Sequence, residues 1–169
     1  RYAIQMGYYS TVTLNEGAIL NAPNASGVYI NSNNTTLNIN NGSEIKAGAS
    51  NAYGVYPYYG TININGGKIT TTGSSSYGIY NIYYPVNINI NSGEINSENI
   101  GIYFDHDTYY RYQDARTINI YSGKVYGKTY GIYQKHTNST LNIGRSSDEL
   151  STEIPLISGG TYGIYKSGG

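Results

Sequence analysis

Between Phe104 and Arg116 the sequence reads FDHDTYYRYQDAR, the densest group of titratable side chains in the chain. Asp105, His106, Asp107, Arg111 and Asp114 all fall in this one stretch. Two chemistries are open to such a set. Its oxygen and nitrogen atoms could hold a cation, or two of its carboxylates could act as the acid and base of a glycosidase. Against the first, the Asp-x-Asp of Asp105 and Asp107 lacks the third ligand and the glycine of a calcium loop. Against the second, nothing elsewhere in the sequence supplies a partner that would converge on the loop. The stretch therefore reads as a solvated loop and a second candidate for binding. No catalytic residue, metal site or cofactor is assigned to it.

Tyrosine is the other residue type with chemistry to offer. There are 22 tyrosines against one phenylalanine and no tryptophan. A core built for apolar burial alone would mix the three, whereas a phenol gives a wide apolar body with a wet tip and suits half-exposed positions. The tyrosines recur in a Tyr-Gly-Ile-Tyr tetrapeptide, seen at Tyr77–Tyr80, Tyr130–Tyr133 and Tyr162–Tyr165 and, reworded, at Tyr53–Tyr56. Strand parity with Ile79 inward turns Tyr80 and Gly78 outward. The primary candidate surface is then the ladder Tyr29, Tyr56, Tyr80, Tyr103, Tyr133 and Tyr165 beside bare backbone at Gly54, Gly78 and Gly101. Such a shallow trough would suit a flat ligand such as a sugar ring, or the rings would simply cover the glycines. The same parity turns Tyr53, Tyr77, Tyr130 and Tyr162 inward as corner plugs, unless a corner rotates them.

The elements that must position these residues come from the repeat. Aligned on the tetrapeptide residue at Ala3, Gly27, Gly54, Gly78, Gly101, Gly131 and Gly163, the steps are 24, 27, 24, 23, 30 and 32 residues. Periods in this range mark stacked repeats. Each unit holds the tetrapeptide strand, an alternating strand such as Thr61-Ile-Asn-Ile-Asn65 or Asn87-Ile-Asn-Ile-Asn91, a glycine turn, and a third strand centred on Ile19, Ile45, Ile69, Ile95, Val125 or Ile157. Period-two alternation of β-branched residues means strands with one buried face. The fold class is all-β: a parallel β-solenoid with three short strands per coil and about six coils, right-handed by expectation. One domain covers 1–169, with insertions at 104–116 and 144–155. Leu150, Ile154 and Leu156 are expected to anchor the second insertion. Because the chain opens at Arg1 in mid-pattern and closes on another tetrapeptide, it reads as a piece of a longer array.

Outward on the second strand lies a grid of Thr and Asn, including Asn38, Asn63 and Asn89, which can hydrogen-bond up and down a ladder. A flat Thr-rich face also raises ice binding, but Asn replaces the second Thr and Tyr121 and Gly144 interrupt the columns. Glu44, Lys68, Glu94 and Lys124 fall in consecutive coils, an alternation of sign that favours register.

Formal net charge is zero, with 10 basic and 10 acidic residues, so no basic face is available for nucleic acid. There are no cysteines and no apolar run long enough to span a membrane. The Tyr-Gly-Ile-Tyr and Asn-rich pattern, over essentially the whole chain, resembles right-handed parallel β-helix repeat proteins, especially the arrays of large adhesin-like surface proteins. That resemblance implies a non-enzymatic, extracellular or cell-surface module acting as stalk and adhesive surface, with a glycan or a host or cell-surface protein as partner. The alternatives are a purely structural rod that self-associates end to end through its open coils, and a carbohydrate-active enzyme of the β-helix type.

Overall fold

The computed structural model describes residues 1–105, 116–135, 139–144 and 154–167, and the strands there stack in three columns. The tetrapeptide column holds β1 (Tyr2–Met6), β4 (Ser26–Ile30), β7 (Tyr53–Pro57), β9 (Tyr77–Asn81), β11 (Ile100–Phe104), β14 (Tyr130–Gln134) and β17 (Tyr162–Lys166). The Asn-rich column holds β2 (Thr11–Leu14), β5 (Thr36–Asn40), β12 (Arg116–Ile120) and β15 (Ser139–Ile143). The third holds β3 (Ile19–Ala22), β6 (Glu44–Ala47), β13 (Lys124–Gly127) and β16 (Leu156–Gly159). Two long strands, β8 (Gly60–Thr71) and β10 (Val86–Ser97), run through the corner and serve both of the last two columns. All pairings are parallel, and equivalent residues face each other, as in Ile88 with Ile62 and Ile118. The protein is a parallel β-solenoid, and among the described residues there is no helix.

Alternation explains the core. Leu37, Ile39, Ile62, Ile64, Ile88, Ile90, Ile118 and Ile120 are fully buried, in register, against Ile45, Ile69, Ile95 and Val125 of the third column. Each such side chain contributes roughly 1.5–3 kcal/mol when taken out of water, and only stacked neighbours can bury it. The corner between the second and third columns needs a left-handed residue. Gly93 stands there at φ 101°, and a Cβ on it would lie 2.3 Å from the Gly67 carbonyl oxygen. No other residue type fits.

The glycines of the tetrapeptide are not on the outer surface. Gly54, Gly78 and Gly101 are buried, and a Cβ on Gly78 would sit 2.3 Å from Ile95 Cγ2 and 2.5 Å from the Gly101 carbonyl oxygen. Gly54 meets Ile69 in the same way. The strand therefore turns two successive residues inward, Gly78 and Ile79, where parity allows one. The irregularity is visible in the ladder: Ile100 pairs Tyr77 and Ile102 pairs Ile79, with the glycine passed over. At this corner the first and third columns approach so closely that the third-strand isoleucine methyl occupies the side-chain space.

Three further expectations are corrected. The third strand of the first coil is centred on Leu20, which pairs Ile45, whereas Ile19 pairs Glu44 and faces outward. Tyr53, Tyr77, Tyr130 and Tyr162 are rotated outward by that corner and do not plug it. Ile154 and Leu156 are exposed and outside the buried core, so they do not anchor the insertion as expected, while Leu150 lies outside the described residues.

Candidate functional site

The tetrapeptide column carries tyrosine on its outer face in two rows. Tyr29, Tyr56, Tyr80, Tyr103, Tyr133 and Tyr165 form the row expected from the alternation, each half-buried. Near the carboxyl end of the rod the rings overlap almost parallel: Tyr80–Tyr103 at 5.0 Å and 13°, Tyr103–Tyr133 at 5.0 Å and 7°, Tyr133–Tyr165 at 4.9 Å and 18°. That spacing follows the ~4.8 Å between paired strands. Rings this close and this parallel cover part of one another's faces, so edges and hydroxyls make up much of the outer surface. The flat trough expected from the sequence does not form: its glycine floor is buried, from Tyr80 to Tyr165 the ring faces are engaged with each other, and Tyr29, Tyr56 and Tyr80 are tilted or edge-on to one another.

The second row is one the alternation rule misses. Tyr53 stacks on Tyr80 at 4.6 Å and leans on Tyr56 at 5.1 Å, and Tyr77 contacts Tyr80 and Tyr103. Tyr2 stacks on Tyr29 at 4.9 Å. The signal for it was the i, i+3 spacing of Tyr53/Tyr56, Tyr77/Tyr80 and Tyr130/Tyr133, which a regular strand cannot place on one face. The aromatic surface also spreads sideways onto the turns, where Tyr58 packs on Tyr83 at 4.8 Å and Tyr59 on Tyr84 at 4.1 Å.

Packing sets the electrostatics of this face. Burial pushes the phenols of Tyr56, Tyr80 and Tyr103 well above their ordinary value, and the charges of neighbouring phenolates push further. For Tyr103 the hydrogen bond to Asp105 adds to burial, its hydroxyl donating to Oδ2 at 2.7 Å. Tyr2, Tyr29, Tyr53, Tyr77 and Tyr133 are raised too, with burial the leading cause. At neutral pH these phenols are uncharged donors and acceptors.

Of the loop set, Asp105 is the member the structure describes. Its carboxylate accepts from Tyr103 and lies 3.8 Å from Lys135 Nζ, one rung on. His106, Asp107, Arg111 and Asp114 lie outside the described residues. The far end of the loop is rooted by Arg116, a residue the sequence pattern did not single out. It is 1% exposed and donates from Nη2 and Nε to the Tyr83 and Tyr84 carbonyls at 2.7 and 3.2 Å. Asn81 Nδ2 shares the Tyr84 carbonyl, at 3.1 Å, and also reaches the Pro57 carbonyl at 2.9 Å. A buried guanidinium thus fixes the turn that carries Tyr83 and Tyr84.

The Asn grid forms as a directional ladder. Asn63 Nδ2 donates to Asn38 Oδ1 at 2.9 Å, Asn89 to Asn63 at 2.9 Å, Asn119 to Asn89 at 2.8 Å and Asn142 to Asn119 at 2.7 Å. These amides are spent on one another. In the charge column, Lys68 meets Glu94 at 3.6 Å, whereas Glu44 turns to Lys46 at 3.1 Å and to the Thr70 hydroxyl at 2.8 Å. An open groove of about 470 Å³ passes over the corner glycines Gly66, Gly93 and Gly123, between Lys68 and Lys124.

Among the described residues, no group of three or more His, Cys, Asp or Glu is placed to hold a metal, and no helix is long and apolar enough to cross a membrane. The class this architecture defines is the parallel β-solenoid with tyrosine and asparagine ladders. No protein-family model matches the chain, and neither a curated protein nor a solved structure does.

Proposed function

We propose that this chain is a non-enzymatic rod module at the cell exterior whose tyrosine face is an adhesive surface for a glycan or a protein. The observation that carries the reading is the unbroken row of half-buried tyrosines from Tyr29 to Tyr165, flanked by a second row at Tyr53, Tyr77, Tyr130 and Tyr162 that Ser26 and Ile100 interrupt. Tyrosine gives contact area at low entropic cost, and rings already held by their neighbours lose little further freedom on binding. With ring faces partly engaged in the stack, the partner is met by edges and neutral hydroxyls. Hydrogen bonding then matters more than the stacking of a sugar on a ring. The extracellular placement rests on the resemblance to surface-protein arrays.

Support for a non-enzymatic role comes from how four of the five described acidic side chains, all but Glu16, are used. Glu44, Glu94, Glu98 and Asp105 each pair with a lysine. A glycosidase needs two carboxylates facing one substrate bond.

The test is an array of glycans and extracellular proteins probed with this chain and with its Tyr56→Ala/Tyr80→Ala/Tyr103→Ala variant, both checked for the β-sheet circular dichroism signal. Binding lost in a folded variant supports the adhesive reading. Binding by neither protein, or equally by both, overturns it.

A further inference from the structure

The outward grid of the Asn-rich column runs in files, and two of them are closed on themselves. The Asn38 file is hydrogen-bonded from rung to rung. So is its neighbour, where Asn40 Nδ2 donates to Asn15 at 3.0 Å, Asn65 to Asn40 at 3.0 Å and Asn91 to Asn65 at 2.7 Å. The remaining file holds Thr36, Thr61 and Asn87 in register. Among the described residues, nothing hydrogen-bonds to these three side chains. Length explains the difference, because rungs stand ~4.8 Å apart, which an amide spans and a pair of hydroxyls does not.

A groove of about 420 Å³ opens over this unspent file. It crosses β5, β8 and β10, each of which is paired on both sides. Asn34 reaches its lining from the loop before β5, and Tyr59 and Pro85 from the equivalent loops of the next two coils. Tyr59 is held by Tyr84, ring on ring at 4.1 Å, and Arg116 fixes the turn that carries Tyr84. No Asp, Glu, Lys, Arg or His is among the lining residues.

These features select a ligand. An ion entering an uncharged groove gives up water with no opposite charge to replace it. Threonine hydroxyls and the asparagine amide both donate and accept, as the hydroxyls of a polyol do. Their ~4.8 Å repeat is close to the separation of equatorial hydroxyls on alternate carbons of a pyranose ring. The C–H face of such a ring has Tyr59 and Pro85 as apolar lining. We propose that this groove is a binding site for a neutral sugar residue, held by Thr36, Thr61 and Asn87 beside Tyr59. It lies apart from the tyrosine rows of the tetrapeptide column and does not depend on their being adhesive.

The test is nuclear magnetic resonance of the isotope-labelled 169-residue chain titrated with glucose, galactose, mannose, N-acetylglucosamine and glucuronate. At least one neutral sugar should move the amides of Asn34, Thr36, Tyr59, Thr61 and Asn87, with a Kd on the order of 1 mM. Thr61→Val/Asn87→Val removes two hydrogen-bonding groups and should weaken that binding by about tenfold or more. Both are outward strand positions that valine suits, so circular dichroism should stay unchanged. No shift at these amides with any of the four neutral sugars overturns the proposal. Shifts confined to the tetrapeptide column overturn it as well, while leaving the adhesive face standing. Glucuronate binding more tightly than glucose overturns the neutral class, and a double variant that binds as well as the unaltered chain overturns the roles of Thr61 and Asn87.

Discussion

Gly78→Ala separates the inward glycine of the structure from the outward glycine of strand parity, because the two placements give opposite signs. Its φ lies outside the left-handed region, so an alanine meets no conformational objection there. If the residue faced outward, the substitution would stabilise by about 0.4–1 kcal/mol through the unfolded chain. Inside, the new methyl would lie 2.3 Å from Ile95 Cγ2 and 2.5 Å from the Gly101 carbonyl oxygen. The carbonyl belongs to a paired strand and cannot swing away, so an overpacking cost of about 1–3 kcal/mol applies at least in full. The net expectation is destabilisation by about 1–2 kcal/mol, which lowers the thermal midpoint of a chain this size by about 2–8 °C. Denaturation followed by circular dichroism reads the change. Gly7→Ala is the control, since a Cβ there meets nothing within 4 Å. Ile95→Ala removes the offending methyl, so the Gly78→Ala/Ile95→Ala double variant should cost less than the sum of its parts by about 0.5–3 kcal/mol. An unchanged or raised midpoint for Gly78→Ala would refute the inward placement.

Raised phenol values make the rod sensitive to alkali. Free tyrosine ionises near 10, so the contribution of Tyr56, Tyr80 and Tyr103 is complete below that pH and is lost as pH rises towards their higher folded values. Absorbance at 295 nm should rise in at least two phases, the later one together with loss of the circular dichroism signal, and Asp105→Asn should bring Tyr103 into an earlier phase. A single phase near 10 with the fold intact would sink this account. Asn63→Ala removes two ladder hydrogen bonds, to Asn38 and from Asn89; a loss of about 1–3 kcal/mol is expected in urea denaturation. Arg116→Met strips the Tyr83 and Tyr84 carbonyls of a buried charged donor. It should cost about 1.5–3 kcal/mol and raise amide exchange in the 81–86 turn, and no change in exchange would mean the guanidinium does not hold it. Lys68→Ala breaks a pair with both partners well exposed and should change stability by less than ~1 kcal/mol.

The sequence by itself determined the stacking, the three-strand coil and the inward isoleucines. A period near two dozen residues with Thr-Ile-Asn-Ile-Asn alternation has one way to bury its apolar face, by laying each copy on the last. The Asn ladder followed from the same register, because equivalent side chains in parallel strands must meet. What alternation could not decide was the corner. Counting 180° per residue presumes a regular strand, and between Tyr77 and Tyr80 the strand turns Gly78 and Ile79 inward together. That reversal depends on how near the third-column Ile95 comes to the first column, a distance no local pattern contains. It buries the glycines, brings Tyr53 and Tyr77 out beside Tyr56 and Tyr80, and turns a single row of phenols into a double one. The role of Arg116 was hidden for a related reason. It is an ordinary residue in its own segment, and its meaning comes from the rung it occupies, beside the Tyr83–Tyr84 turn.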